Sequence, residues 1–207
     1  MIKNIVFDIG NVLAAFRWKE YISELGYTGE MAERIAAATT LNRMWLEVDR
    51  GVMSVNDIIE GCIASDPEIE PQIRHFFADR RRLVEEYGYS RGWLEELKER
   101  GYGIYLLSNY SRDHFQYISR HFSFFGLEDG MMVSYTVRLL KPDRRIYEAL
   151  FEKYGLKPDE CVFLDDSAGN VEGAINAGMH GIVFENFEQG KRDLEGLLRT
   201  EGLCTAE

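Results

Sequence analysis

An aspartate close to the amino terminus could act as a nucleophile. Asp8 follows the apolar run NIVF at residues 4–7 and precedes Gly10 and Asn11, in a turn whose backbone N–H groups could bind an anion. A carboxylate in this position could attack phosphorus and form a covalent intermediate. A structural aspartate would have the same local sequence, because Asp at a strand end commonly accepts hydrogen bonds from the next backbone amides. Asp8 alone would therefore favour the structural role.

Three polar residues further along the chain could hold a negatively charged ligand. Ser108 and Asn109 follow the apolar run at residues 104–107 and offer a hydroxyl, an amide and backbone donors. Lys141 precedes Pro142 at a predicted helix start, where a fixed cation and the helix dipole both favour an anion. Each also has an ordinary alternative, a polar turn for the Ser-Asn pair and a solvated surface position for the lysine.

Two adjacent carboxylates, Asp165 and Asp166, end the apolar run at residues 162–164. They repel each other unless a hard cation or an ammonium group neutralises them. Mg2+ prefers oxygen ligands, keeps several water molecules and takes few protein carboxylates. The pair therefore predicts a magnesium site.

All these polar residues lie at the ends of predicted strands or at the starts of the helices that follow. Helical patterns separate the strands, and Ser90 is predicted to cap one of these helices. The alternation predicts an α/β fold, a doubly wound parallel sheet of the Rossmann-like type, with its ligand site beyond the carboxyl ends of the strands. The predicted buried strands occupy residues 4–7, 104–107, 162–164 and 181–184, with a weaker candidate at 131–133.

The segment between the first two predicted strands has a different pattern. Residues 14–88 contain helical patterns and no convincing strand. We therefore predict an α-helical cap at residues 14–88, inserted into an α/β core that residues 1–13 and 89–207 form together.

Composition and charge limit the possible partners. The chain has 207 residues and a formal net charge of -11, which argues against nucleic acid or an anionic membrane as a partner. Its cysteines, Cys62, Cys161 and Cys204, have no CxxC spacing and predict neither a disulfide framework nor a zinc site. No signal peptide pattern is present, and no segment approaches the ~20 apolar residues that span a bilayer. We expect a cytoplasmic protein, whose oligomeric state the sequence does not predict.

In order and spacing, these motifs resemble the haloacid dehalogenase-like (HAD) hydrolase superfamily over essentially the whole chain. The resemblance implies that Asp8 attacks phosphorus while Ser108 and Lys141 hold the phosphoryl oxygens, after which water hydrolyses the aspartyl phosphate. A small phosphorylated metabolite is then the expected substrate. The four matching segments are residues 7–13, 106–109, 141–143 and 163–167.

The same resemblance implies a set of ligands for Mg2+. Asp8, the backbone carbonyl of Gly10 and Asp166 would bind the ion directly. Asp165 would act through a water molecule or from behind the direct ligands.

The sequence departs from the usual phosphatase pattern at Gly10. In the usual branch this position is an Asp that protonates the leaving oxygen and later activates water. General acid–base help contributes about 10²–10⁴-fold in rate, so Gly10 implies a slow enzyme, a good leaving group or a substitute acid elsewhere. The Asp-x-Gly-Asn-Val arrangement resembles the branch that contains the bacterial alpha-D-glucose-1-phosphate phosphatase, and an anomeric phosphate is a comparatively good leaving group. A sugar phosphate is therefore an expected substrate.

Substrate selection in this superfamily is expected from the cap. Arg50, in the segment Asp49-Arg50-Gly51, could bind a substrate oxygen or a second phosphate. Trp18 and Trp45 could pack on a sugar face, although the core of the cap is the more common place for such tryptophans. Asn109 is a further candidate for substrate binding.

Three other functions remain open at this stage. A haloacid dehalogenase also uses a strand-end Asp, but it attacks carbon and would not need the Asp165-Asp166 pair. A response-regulator receiver has the acidic pair before the accepting Asp, which is the reverse of the order here. A catalytically weak phospho-ligand-binding protein is suggested by Gly10, and turnover of phosphate esters would separate it from an enzyme.

Overall fold

A five-stranded parallel sheet forms the centre of the molecule, in a computed structural model that describes residues 1–203. The strand order is β5-β4-β1-β6-β7, and a separate two-stranded sheet pairs β2 with β3. The strands are β1 (Asn4–Phe7), β2 (Ala14–Phe16), β3 (Val84–Glu86), β4 (Gly103–Ser108), β5 (Gly130–Val133), β6 (Cys161–Asp165) and β7 (His180–Val183). The predicted doubly wound parallel sheet is confirmed, including β5, the strand with the weakest sequence pattern.

Helices cover both faces of the central sheet and make up the segment between β2 and β3. They are α1 (Trp18–Glu24), α2 (Gly29–Ala38), α3 (Met44–Asp49), α4 (Val55–Ser65), α5 (Glu70–Ala78), α6 (Ser90–Glu99), α7 (Arg112–His121), α8 (Ser134–Val137), α9 (Arg144–Tyr154), α10 (Ala168–Asn176) and α11 (Phe187–Leu203). None of the helices in residues 1–203 is long and apolar enough to cross a membrane. The predicted cytoplasmic location stays a prediction, and Cys204 lies outside the described residues.

Strand β1 is buried on both faces, as a central parallel strand must be. Because side chains alternate along a strand, Ile5 and Phe7 join the core that includes α6, while Val6 joins the core under α9 and α10. The ring of Phe7 packs edge-on against Trp93 of α6, with 5.0 Å between centroids. This packing fixes the strand that ends at Asp8.

The register of the sheet gathers the predicted functional residues at one edge. Phe7 lies opposite Leu106 of β4 and Leu164 of β6. Asp8 follows Phe7 and Asp165 follows Leu164, so these two aspartates lie side by side at the carboxyl ends of β1 and β6. The site follows from the pairing of β1 with both neighbours, because parallel strands end on the same side.

The prediction that residues 14–88 contain no strand is wrong at both ends of the segment. Strands β2 and β3 pair antiparallel, with Ala14 opposite Glu86 and Phe16 opposite Val84. Each strand has only three residues, which is too short for an alternating pattern to stand out. The pair brings together the two ends of the helical insertion, the name used below for α1–α5. The domain boundaries themselves stay a prediction.

Ser90 does not cap α6 as predicted. The helix begins at Ser90 itself, and its hydroxyl donates a hydrogen bond to the carbonyl oxygen of Leu13 at 2.7 Å. This bond ties the first turn of α6 to the loop after β1, so a tertiary contact takes the place of the local cap.

Candidate active site

Asp8 is held by three donors on one of its carboxylate oxygens. Its Oδ1 accepts hydrogen bonds from the Ile9 backbone N–H at 2.7 Å and the Ser108 hydroxyl at 2.5 Å, and Lys141 Nζ lies 2.9 Å away. All three contacts fall on Oδ1, so no donor among the described residues is assigned to Oδ2. The side chain is 10% exposed. Asp8 is therefore a fixed carboxylate with one oxygen left for another ligand.

Lys141 lies between two carboxylates. Its Nζ is 2.9 Å from Asp8 Oδ1 and 2.6 Å from Asp165 Oδ2, and its side chain is 1% exposed. Burial opposes the charge of the lysine, but the two carboxylates raise the pKa of Lys141 above its ordinary value. Burial also raises the pKa of Asp8, against the opposing effect of Lys141. The structure thus brings the predicted nucleophile and the predicted cation into direct contact.

The side chain of Asn109 holds the backbone of Lys141. Asn109 Oδ1 accepts from the Lys141 backbone N–H at 2.9 Å, and Asn109 Nδ2 donates to the Lys141 carbonyl oxygen at 3.1 Å. Asn109 also lines the cavity described below, where it was predicted to bind substrate. Both ends of its side-chain amide are hydrogen-bonded to Lys141, so in the structure Asn109 positions the lysine.

The two adjacent carboxylates have different surroundings. Asp165 is fully buried and accepts hydrogen bonds from Lys141, the Ser167 backbone N–H and the Asn170 amide. Asp166 is exposed and accepts one hydrogen bond, from Asn11 Nδ2 at 2.8 Å. This difference agrees with a direct metal contact for Asp166 and an indirect part for Asp165.

Asp8, Asp165 and Asp166 together offer a site that fits a divalent cation. One oxygen from each lies within 4.8 Å of the other two. The three carboxylates carry three negative charges and Lys141 one positive charge, which leaves two negative charges uncompensated. Oxygen donors with this excess charge suit Mg2+, the predicted cofactor. Asp8, the Gly10 carbonyl and Asp166 would hold the ion.

A cavity of about 150 Å³ opens next to these residues. Asp8, Gly10 and Asp166 line the cavity on the side of the central sheet. Residues of α3 and of the short strands β2 and β3 line it on the side of the helical insertion. The remaining lining residues are Asn11, Phe16, Trp45, Asp49, Val84, Asn109, Tyr110 and His114. The cavity is small and partly aromatic.

Of the predicted substrate-binding residues in the insertion, the structure brings only Trp45 to this cavity. Trp18, at the start of α1, lines a separate apolar cavity next to Ile22 and Ala36. Arg50 forms an ion pair with Glu47 at 3.4 Å and does not line the cavity. Both placements have the same cause: the direction of these side chains depends on how the helices pack, which their local sequence patterns do not encode.

Among the cavity residues that the sequence analysis did not propose are an aspartate and a histidine with strongly shifted pKa values, Asp49 and His114. Asp49 precedes Arg50 in the segment that the sequence singled out, and Asp49 is the residue of that segment that lines the cavity. His114, which was given no role, is 6% exposed and its Nε2 has no hydrogen-bond partner among the described residues. Burial, with the nearby charge of Arg80, lowers the pKa of His114 to about 3, so the ring is neutral. No spacing in the sequence points to His114.

Fold and site together define an α/β protein with an acidic, lysine-bearing site at the carboxyl edge of a parallel sheet. The chain belongs to the haloacid dehalogenase-like hydrolases: the pattern of that family matches residues 2–178. The predicted superfamily is therefore confirmed. The finer resemblance to the branch of the glucose-1-phosphate phosphatase stays a prediction.

Individual relatives agree with this assignment. The chain is 29% identical to a phosphatase of Mycobacterium tuberculosis, over 95% of each protein. Among solved structures, a HAD-like hydrolase of Porphyromonas gingivalis superposes with a TM-score of 0.75 at 23% identity, over 96% of this chain and 98% of the other. A HAD family enzyme of Bacteroides thetaiotaomicron, in complex with magnesium and inorganic phosphate, gives a TM-score of 0.69 at 24% identity, over 88% and 93%. The predicted enzyme class, a HAD-like phosphohydrolase, agrees with these matches.

Proposed function

We propose that this hydrolase is a Mg2+-dependent phosphatase that acts on small phosphate monoesters, sugar phosphates above all, through a covalent phosphoaspartate on Asp8. The observation that carries the proposal is the arrangement of Asp8, whose Oδ1 is held by Ser108 and Lys141 beside the cavity. An anion fixed in this way can attack in line without reorganising.

The residues would divide the work as follows. One carboxylate oxygen of Asp8 attacks phosphorus, and the ester P–O bond breaks. Ser108 Oγ and Lys141 Nζ, which already converge on Asp8, donate to the phosphoryl oxygens and stabilise the charge that develops there. When bound, Mg2+ neutralises negative charge on the phosphoryl group and on the carboxylates around it. Water then hydrolyses the phosphoaspartate and restores the Asp8 carboxylate.

The cavity supports a sugar phosphate as the substrate. Its volume of about 150 Å³ admits a small organic group. Trp45 and Phe16, whose rings lie 5.9 Å apart, supply aromatic surface on which a sugar face can pack. The unpartnered Nε2 of neutral His114 can accept a hydrogen bond from a substrate hydroxyl. A relative named as a phosphatase adds support for the reaction.

A haloacid dehalogenase remains the main alternative within this family, and the acidic cluster argues against it. Attack on the carbon of a haloacid releases a halide and needs no divalent cation. Three carboxylates within 4.8 Å would then repel one another with only Lys141 to compensate. A divalent cation bound among the three carboxylates would compensate this repulsion.

The test is phosphate release from a panel of sugar phosphates, nucleotides and pyridoxal phosphate, with Mg2+ and with EDTA. We expect turnover with Mg2+, no turnover with EDTA, and sugar phosphates among the best substrates. Asp8→Asn protein is the matched control for contaminating phosphatases. Tight binding of phosphorylated ligands without turnover would instead identify a phospho-ligand-binding protein, and chloride release from 2-chloropropionate without Mg2+ would identify a dehalogenase.

A further inference from the structure

Gly10 leaves the cavity without an acid at the position where the usual phosphatase has one. A Cβ atom built on Gly10 would meet no atom within 4 Å, so no other side chain of the described residues fills that space. Departure of an unactivated alcohol needs a proton, and water alone supplies it slowly. An acid on another wall of the same cavity could supply it.

The geometry points to Asp49, at the end of α3 in the helical insertion, as the general acid and base that takes over this work. Asp49 lines the cavity that Asp8 and Gly10 also line. This inference rests on the proposed phosphatase function and names a catalytic residue for it.

Contacts with the core hold Asp49 in place. Ser134 Oγ, at the start of α8, donates to the Asp49 carbonyl oxygen at 2.5 Å and accepts from the Tyr110 backbone N–H at 3.0 Å. Tyr110 follows the Ser108-Asn109 pair directly. The Ser134 hydroxyl thus links the end of α3 to the loop that carries the phosphate-binding residues.

Gly51 allows the chain after α3 to approach α8 closely. Its φ is +71°, and an added Cβ would lie 2.8 Å from the Cβ of Tyr135 in α8. Only glycine combines this backbone conformation with so close an approach. The segment that carries Asp49 is therefore pressed against the core beside the cavity.

The surroundings of Asp49 suit a proton donor near neutral pH. Burial raises the pKa of Asp49 to about 7, and the charge of Asp8 adds to this effect. The Ser111 backbone N–H and the charge of Arg80 act in the opposite direction. Arg80 is itself paired with Asp113 at 3.4 Å, and the nearby His114 is neutral.

Two carboxyl groups of one cavity then have different surroundings, which fit different tasks. Lys141 contacts Asp8 and favours its charged form, whereas Asp49 has no ammonium or guanidinium in direct contact among the ion pairs of the described residues. A charged nucleophile beside a protonated acid is the division of roles that acid–base catalysis requires.

In the proposed reaction, Asp49 gives a proton to the leaving group and regains one from water. As the Asp8 oxygen bonds to phosphorus and the ester P–O bond breaks, the Asp49 carboxyl gives its proton to the departing oxygen, and the alcohol leaves. Asp49 is then a carboxylate. It takes a proton from the water molecule that attacks the phosphoaspartate, the P–O bond to Asp8 breaks, and inorganic phosphate leaves. Both carboxyl groups return to their starting states.

The test compares kcat/KM for wild type and Asp49→Asn across phosphate esters with graded leaving-group pKa, at fixed Mg2+. We expect Asp49→Asn to lose about 10²–10⁴-fold with alkyl phosphates and far less with aryl phosphates, whose leaving groups need no proton. Glu47→Gln is the matched control, because Glu47 lies on the same helix and pairs with Arg50 outside the cavity. That control should keep the wild-type dependence on the leaving group.

A rescue experiment separates catalysis from a merely structural part. Adding Gly10→Asp to Asp49→Asn places a carboxyl in the open space at position 10 and should restore turnover of alkyl phosphates. An equal loss for aryl and alkyl esters in Asp49→Asn, or no loss, overturns the role of Asp49 and leaves the phosphatase function intact. A wild type that hydrolyses no ester of the series contradicts the proposed function itself, and this inference with it.

Discussion

At the scale of single residues, the site depends on one ammonium group shared by two carboxylates. Lys141 touches Asp8 and Asp165, and Asn109 fixes the lysine backbone with two hydrogen bonds. Both oxygens of Asp165 accept hydrogen bonds, whereas no donor among residues 1–203 is assigned to Oδ2 of Asp8, which makes Asp8 the nucleophile of the proposed reaction. Burial raises the pKa of Asp8, and the Lys141 ammonium beside it acts in the opposite direction.

Asp8→Asn should abolish phosphate release while the fold persists. The amide has nearly the same shape, and Lys141 keeps its contact with Asp165 at 2.6 Å. We expect a loss of roughly 10⁴-fold or more, as is found when a covalent nucleophile is removed. Phosphate release and thermal unfolding measure the two effects. Comparable release from the folded variant would exclude a phosphoaspartate on Asp8.

Asp166→Ala and Asp165→Asn should fail in different ways. Asp166 is exposed, so Asp166→Ala should leave stability nearly unchanged but raise the half-saturating Mg2+ concentration by about tenfold or more, equivalent to about 1.4 kcal/mol. Asp165→Asn weakens a buried ion pair and should cost up to about 3 kcal/mol of unfolding free energy. Mg2+ titration of activity and denaturant unfolding distinguish them. Equal Mg2+ dependence in the two variants would refute the assignment of Asp166 as the direct ligand.

At the scale of elements, short contacts between α3 and α8 help to connect the helical insertion to the core at the site. One is the hydrogen bond from Ser134 in α8 to the end of α3, and another is the close approach of Gly51 to Tyr135. Both lie next to the segment that carries Asp49. The position of the cavity wall is therefore controlled by backbone packing between α3 and α8 rather than by the insertion helices alone.

Gly51→Ala should move this wall. The added methyl group would collide with Tyr135 and the residue would also have to keep φ at +71°. Gly26→Ala is the matched control, because Gly26 has φ +88° in the same part of the chain but open space around its Cβ position. We expect Gly26→Ala to cost about 1 kcal/mol of stability without changing kcat. Gly51→Ala should cost more and should also lower kcat/KM. Equal kinetics for the two variants would show that the contact with α8 does not position the wall.

At the scale of the whole molecule, buried titratable groups beside the cavity make the free energy of unfolding depend on pH. His114 is the clearest of these, because burial and Arg80 lower its pKa to about 3, below the ordinary value of 6.5. The unfolded chain therefore binds a proton more readily than the folded chain between these two values. Stability that is present above pH 6.5 is lost as the pH falls towards 3.

Replacing His114 with Gln should remove this part of the acid sensitivity. We expect the difference in unfolding free energy between wild type and His114→Gln to shift by up to about 1.4 kcal/mol per pH unit between pH 6 and pH 4, with wild type losing more. Denaturant unfolding at several pH values, without Mg2+, measures it. His121→Gln, at the exposed end of α7, is the control for replacing a histidine of the same helix outside the cavity. Parallel curves for wild type and His114→Gln would show that His114 titrates normally.

The sequence by itself determined the sheet and the identity of the residues at its edge. Apolar runs that stop at Asp8, Ser108 and Asp165 are local patterns, and parallel strands must end on the same side of a sheet. Once the strands were recognised, the meeting of these side chains followed from geometry. The observed strand order, with β1 between β4 and β6, brings them together at the carboxyl edge of the sheet.

Only the tertiary structure decided which residues of the insertion reach the cavity. Trp45 and Asp49 line it while Trp18 and Arg50 do not, and His114 enters from α7 with no local signal. The bond between Ser134 and Asp49 joins positions 85 residues apart. Helical periodicity says which residues share a face of one helix, but it does not say against which distant segment that face packs. The approach of the insertion to the core, and with it the shape of the cavity, is therefore set by packing between distant parts of the chain.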